Sequence, residues 1–141
     1  MSETTPVAGV LLGHGAMPAG MVDAVRNITG AAPEALQPLS NKGLSPDSMA
    51  SEVQRLVCDG PAILFTDLPS GSCGVVARRL TQAVPQLAVI SGVNLAVLVD
   101  FVMNRHLPLT ELVPRLLSKG RASIGCSPAD LDDHERGAVP H

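Results

Sequence analysis

His14 stands between Gly13 and Gly15, where the apolar run Gly9-Val10-Leu11-Leu12 stops. A run of that length reads as a buried strand, and the flanking glycines allow a tight turn and close approach of other groups to the backbone. Asp67 has a comparable place after Ala62-Ile63-Leu64-Phe65, inside the loop Thr66-Asp67-Leu68-Pro69-Ser70-Gly71-Ser72. A carboxylate that accepts a hydrogen bond from one imidazole nitrogen fixes the tautomer and leaves the other nitrogen free as a nucleophile. The same pair can instead act as general base and orienter, which requires a hydroxyl or thiol to activate. Ser70, Ser72 and Cys73 are the candidates for that role, and none lies in a Gly-x-Ser-x-Gly elbow. Ser70-Gly71-Ser72 leads into a helix start, whose free N–H groups and dipole favour phosphate. Plainer readings compete: a Thr-Asp pair also makes an Asx-turn, and a serine at a helix start caps it. A histidine nucleophile beside a phosphate cradle points to phosphoryl transfer through phosphohistidine.

The elements between these residues decide whether they meet. After the first strand, Pro18 suits a first helical turn, and Met21, Val22, Val25 and Ile28 recur at helical spacing up to a stop at Gly30. Ala35 to Ser40 reads as a second strand and Asn41 to Leu44 as a loop. Ser45-Pro46-Asp47 then starts a helix with a hydroxyl cap and buries Met49, Val53, Leu56 and Val57. A third helix follows the Asp67 loop, with Val76, Leu80, Ala83 and Val84 inward, and Pro85 breaks it. Leu87 to Ile90 is a fourth strand, ending in Ser91-Gly92-Val93-Asn94. Leu95 to Met103 is apolar almost all round apart from Asp100, so its own domain or a partner subunit covers it on more than one side. Leu109, Leu112, Val113, Leu116 and Leu117 form a fifth stripe, in which Pro114 demands either a start near Glu111 or a kink. Arg121 to Cys126 reads as a short last strand after Gly120. This alternation predicts an α/β fold, a mainly parallel sheet with helices on both faces. Right-handed crossovers bring the carboxyl ends of its strands to one edge, gathering His14, Asp67 and the Ser91–Asn94 turn.

Composition narrows the function classes. The chain has 141 residues, a formal net charge of −3 and two phenylalanines as its only aromatics. With no basic cluster and no stacking platform, nucleic-acid binding is not expected. No apolar segment approaches the roughly 20 residues needed to cross a bilayer, and the polar start Met1 to Pro6 lacks signal-peptide character. Direct membrane insertion is therefore not expected. The three cysteines lack Cys-x-x-Cys spacing and read as reduced thiols in a cytoplasmic chain. His106, His134 and His141 have no metal-ligand spacing, and neither a metal nor a cofactor is called for. One domain over residues 1–126 and a flexible tail over 127–141 are expected.

Four motifs in register carry a resemblance. Gly13-His14-Gly15, Thr66-Asp67-Leu68, Gly71-Ser72 and Ser91-Gly92-Val93-Asn94-Leu95 resemble, in order and separation, the mannose-family IIA domain of the bacterial sugar phosphotransferase system, from about Val7 to Gly125. The resemblance implies that His14 accepts phosphate from the small carrier protein HPr and passes it to a separate IIB component. It assigns Asp67 to orienting the ring and Ser72, with Gly71 and Ser70, to holding the phosphoryl group. It also implies a three-layer sandwich, in a homodimer whose subunits exchange a final antiparallel edge strand, the place of Arg121 to Cys126. The family often carries an aromatic residue and then Gly-Gly-Ser-Pro after its Asp-Leu pair, whereas this chain has Pro69-Ser70-Gly71-Ser72-Cys73. Two alternatives stand beside transport: a regulatory binding module switched by phosphorylation of His14, and a phosphocarrier serving a dihydroxyacetone kinase.

Overall fold

The structure, a computed structural model, describes residues 5–131. The calls on the last part of the tail, and on His134 and His141, lie outside the described residues. The chain runs β1 (Ala8–Gly13), α1 (Met17–Thr29), β2 (Leu36–Ser40), α2 (Pro46–Val57), β3 (Ala62–Thr66), α3 (Gly71–Ala83), β4 (Leu87–Ser91), α4 (Leu95–Asn104) and α5 (Leu109–Ser123). The four strands lie in the order β2-β1-β3-β4, and every pair is parallel.

Strand side chains alternate between two cores, as a period of two requires. Leu11, Ile63, Phe65 and Ile90 face one side, where α1, α4 and α5 pack. Val10, Leu12, Leu64 and Leu87 face the other, under α2 and α3. The expected three-layer α/β sandwich with helices on both faces is therefore what forms. Phe65 and Phe101, both fully buried, meet edge-on with ring centroids 5.0 Å apart, so neither can stack on a base. Local signals explain several ends. Ser45 Oγ accepts from the Ser48 N–H to cap α2, Pro46 follows it, and Gly30 closes α1 in a left-handed conformation at φ 69°.

Several details correct the sequence reading. Ile28 does not join the buried stripe of α1: it lies in the last turn and is 60% exposed. Ala83 is also exposed, and the inner face of α3 is Cys73, Val76, Ala77 and Leu80, one stripe at helical spacing. Helix α5 starts at Leu109 and runs through Pro114, because Leu112 and Leu116 on either side of it are both fully buried. Arg121 to Ser123 form no strand; they are the last residues of α5, and Ile124 to Cys126 pair with no strand in this chain. Gly120 does not break the helix because α5 needs it there: a Cβ would come within 2.6 Å of a Val97 methyl, and Asn94 Nδ2 donates to its carbonyl at 3.1 Å. Helix α4 is covered within its own domain by α1 and α5, and its buried Asp100 receives Arg115 of α5 through two hydrogen bonds, at 2.9 and 3.1 Å.

Candidate active site

In a parallel sheet of order 2-1-3-4, the connections from β1 and β3 leave toward opposite sides. The crevice beyond the carboxyl ends of those two strands is where open α/β sheets bind ligands. His14 follows β1 directly and Asp67 follows β3 directly, so strand order alone sets them face to face across that crevice.

The contact is close. His14 Nδ1 lies 2.7 Å from Asp67 Oδ2, and the His14 backbone N–H donates to the same oxygen at 2.9 Å. The other oxygen, Oδ1, accepts the Leu68 N–H at 2.9 Å. An ionised carboxylate only accepts, so Nδ1 carries the ring proton and Nε2 keeps its lone pair. Partial burial of Asp67 pushes its carboxyl up, but the side-chain and backbone hydrogen bonds from His14, the positive charge that ring carries when protonated, and the Leu68 N–H outweigh this. Together they hold Asp67 below the ordinary carboxylate value. The imidazole is 45% exposed against 18% for the carboxylate, so the ring faces solvent from an anchored base.

Backbone details permit this approach. A Cβ at Gly13 would fall 3.1 Å from Asp67 Oδ2 and 2.7 Å from Met17 Cε, so a side chain there would drive the carboxylate off His14. Gly74 does the same for the Asp67 loop: a Cβ would sit 2.4 Å from the Pro69 carbonyl oxygen, which folds back against the first turn of α3.

Ser70, Gly71 and Ser72 are exposed at the start of α3. Ser70 is in the capping position but makes no side-chain capping bond, so its hydroxyl occupies none of the free N–H groups of that first turn. Cys73 is fully buried in the same turn, and burial first, then the charge of Asp67, pushes its thiol up, so it is no activated nucleophile. Ligand atoms of His14, Asp67 and Cys73 nevertheless lie within 4.8 Å of one another, the one such group of metal-ligand type among the described residues. His106 lies outside this group and is exposed.

The Ser91–Asn94 turn supports the site from behind. Thr66, fully buried, donates from Oγ1 to the Leu68 carbonyl at 3.0 Å and meets Ser91 Oγ at 2.9 Å. Its own carbonyl accepts from Gly92 N–H at 2.9 Å and Val93 N–H at 3.3 Å. Asn94 caps α4 by accepting the Val97 N–H at 3.0 Å. Sequence reasoning missed Asn41, whose side-chain oxygen accepts the Gly15 N–H at 3.3 Å while its N–H donates to the Gly13 carbonyl at 2.9 Å. It thereby ties the His14 turn to the end of β2. Its only signal was its place directly after a strand.

Known proteins share both the fold and the sequence pattern. Among solved structures, phosphotransferase system component EIIA from Streptococcus agalactiae superposes with a TM-score of 0.78 at 23% identity, covering 85% of this chain and 96% of that one. The mannose/sorbose specific IIA subunit from Enterococcus faecalis gives 0.75 at 20% identity, covering 86% and 95%. The PTS IIA protein associated with the fucose utilization operon of Streptococcus pneumoniae gives 0.74 at 17%, covering 92% and 99%. At such identities the likeness is one of fold. A search of curated protein sequences finds no match. The family model described as the PTS system fructose IIA component matches residues 9–115, a stretch that holds both His14 and Asp67 and most of the chain, and the protein belongs to that fructose/mannose IIA family of the sugar phosphotransferase system.

Proposed function

We propose that the protein is a phosphohistidine carrier that accepts phosphate from phospho-HPr on His14 Nε2 and passes it to a separate IIB component. One observation carries the reading: an exposed imidazole with Nδ1 bound to a carboxylate at 2.7 Å, at the crevice between β1 and β3. Membership of a phosphotransferase family supports it.

The geometry suits the step. Nε2 attacks phosphorus as the donor nitrogen–phosphorus bond breaks, and that electron pair returns to the donor ring. Positive charge grows on the His14 imidazole, where the Asp67 carboxylate already accepts the Nδ1 hydrogen, so the stabilising charge is in place before the reaction. Ser72, Gly71 and Ser70, at the N-terminus of α3, would receive the phosphoryl oxygens through N–H groups and hydroxyls, with no metal or cofactor required. Reversal of the same steps delivers phosphate to IIB. An exposed histidine is what two successive protein partners require. Among the described residues no helix is long and apolar enough to cross a membrane. We place the protein in the cytoplasm, as a homodimer.

Incubation with phosphoenolpyruvate, enzyme I and HPr should produce acid-labile phosphate on the wild type and none on His14→Ala. Labelling that persists in His14→Ala overturns the assignment. A phosphorylated chain that a cognate IIB discharges is a transport component. One that no IIB discharges is a regulatory module, or the carrier for a dihydroxyacetone kinase.

A further inference from the structure

Cys73 has no part in phosphoryl transfer, yet it lies inside the site. The ligand atoms of His14, Asp67 and Cys73 come from three separate segments, the ends of β1 and β3 and the first turn of α3, and lie within 4.8 Å of one another. One imidazole nitrogen, one carboxylate oxygen and one thiol sulfur make the mixed donor set that borderline-soft Zn²⁺ takes, whereas Mg²⁺ and Ca²⁺ favour oxygen alone. We propose that His14, Asp67 and Cys73 form a binding site for one zinc-class divalent ion, and that its occupancy and phosphorylation of His14 exclude one another.

Zinc bonds of about 2.0–2.3 Å set ligand atoms roughly 3.3–3.8 Å apart in a tetrahedron. Nδ1 and Oδ2 are closer than that, at 2.7 Å, and must part, while Cys73 Sγ, no farther than 4.8 Å from a ligand atom of each, draws in by at most about 1–1.5 Å. The exposed His14 ring turns toward the ion once Nδ1 leaves Asp67, and Cys73 and Asp67 hold the ion from the protein side. Three protein ligands leave the fourth position open to water. Binding releases the Cys73 thiol proton to solvent and changes no oxidation state.

Exclusion follows from the imidazole. Coordination through Nε2 takes up the lone pair that attacks phosphorus. Coordination through Nδ1 moves the ring proton to Nε2, with the same result. In the other direction, phosphate on Nε2 keeps the proton on Nδ1 and so removes the ring from the ligand set. This second half of the proposal rests on the phosphocarrier reading, and the binding half does not.

The two halves are tested separately. In a Cys58→Ser, Cys126→Ser background, Cys73 is the sole thiol. Titration with Co²⁺ should then give a thiolate-to-cobalt charge-transfer band that saturates at one equivalent and is chased by Zn²⁺. Cys73→Ser should abolish the band, and His14→Ala should weaken Zn²⁺ binding by more than the roughly 10–100-fold that loss of a supporting contact costs. No band, or Zn²⁺ affinity unchanged by Cys73→Ser, overturns the site. Transfer from purified phospho-HPr is then measured in chelator-treated buffer, with each variant compared with its own metal-free rate. Added Zn²⁺ should stop labelling of the Cys73-only protein and have far less effect on its Cys73→Ser derivative. Equal inhibition of both overturns the exclusion. Failure of metal-free labelling instead counts against the phosphocarrier reading and leaves the cobalt result standing.

Discussion

Asp67→Asn is the sharpest test of how His14 is held, because the two oxygens of Asp67 both accept. Oδ2 takes the His14 backbone N–H and Nδ1–H, and Oδ1 takes the Leu68 N–H. An amide has one accepting and one donating end. With its oxygen toward His14, the NH₂ faces the Leu68 N–H, donor against donor. Turned around, it faces the His14 N–H in the same way and donates to Nδ1, forcing the proton onto Nε2. Neither orientation reproduces the native set. Losing a hydrogen bond to a charged group removes about 1.5–3 kcal/mol. If all of it is lost from the transition state, transfer slows by about 10- to 150-fold. The inverted tautomer adds to that, toward the roughly 10⁴-fold that the same change costs a catalytic histidine elsewhere. Rapid-quench, single-turnover transfer from labelled phospho-HPr measures the rate, and ¹⁵N NMR of the imidazole reads the tautomer. A rate within about threefold of wild type, with Nδ1 still protonated, would refute the reasoning. Stability gives an independent check. Burial raises the Asp67 carboxyl less than its His14 and Leu68 partners lower it, so its folded value lies below its unfolded one. Its contribution is therefore complete above the ordinary carboxylate value, about pH 4, and disappears as pH falls through the lowered folded value. The stability gap between wild type and Asp67→Asn should narrow over that acidic range.

Two further substitutions probe the support behind the site. Thr66→Val removes a buried hydroxyl and leaves the Leu68 carbonyl and the Ser91 hydroxyl without it, so urea denaturation should show a loss of about 1–3 kcal/mol, while Thr66→Ser keeps most of it. A Thr66→Val protein as stable as wild type would remove Thr66 from that role. Gly74→Ala drives a Cβ into the Pro69 carbonyl and should cost about 1–3 kcal/mol. An unchanged denaturation midpoint would show that the Asp67 loop does not depend on this close approach.

The contact between His14 and Asp67 was legible because each follows the end of a strand-like run. The alternation of strand and helix implies a parallel sheet, and such a sheet carries both strand ends to one edge. No contact had to be foreseen for His14 and Asp67 to be paired; strand order brings them together. Asn41 and Thr66 were not legible in the same way. Their roles are hydrogen bonds to particular neighbours, Asn41 to the Gly13 and Gly15 backbone and Thr66 to the Leu68 carbonyl and the Ser91 hydroxyl, and those across strands depend on register, such as Thr66 opposite Ser91 and Gly13 opposite Ser40. A polar residue at a strand end carries no mark of which neighbour it will meet.

The errors at the carboxyl-terminal end have one physical source. Pro114 and Gly120 are the two residues of α5 with the poorest helix propensity, and local reasoning allowed a late helix start beside the first and placed a strand after the second. Both penalties are local and of the order of 1–3 kcal/mol, whereas the gains that outweigh them come from α4. Leu112 and Leu116 are fully buried in the core that α4 shares, the Arg115 guanidinium reaches Asp100 of α4, and Gly120 makes room for Val97 of α4 while its carbonyl is held by Asn94. Burying two leucines contributes about 3–6 kcal/mol, enough to carry the helix through a proline and past a glycine. Propensity decides where a helix ends only where packing is indifferent, and against α4 it is not.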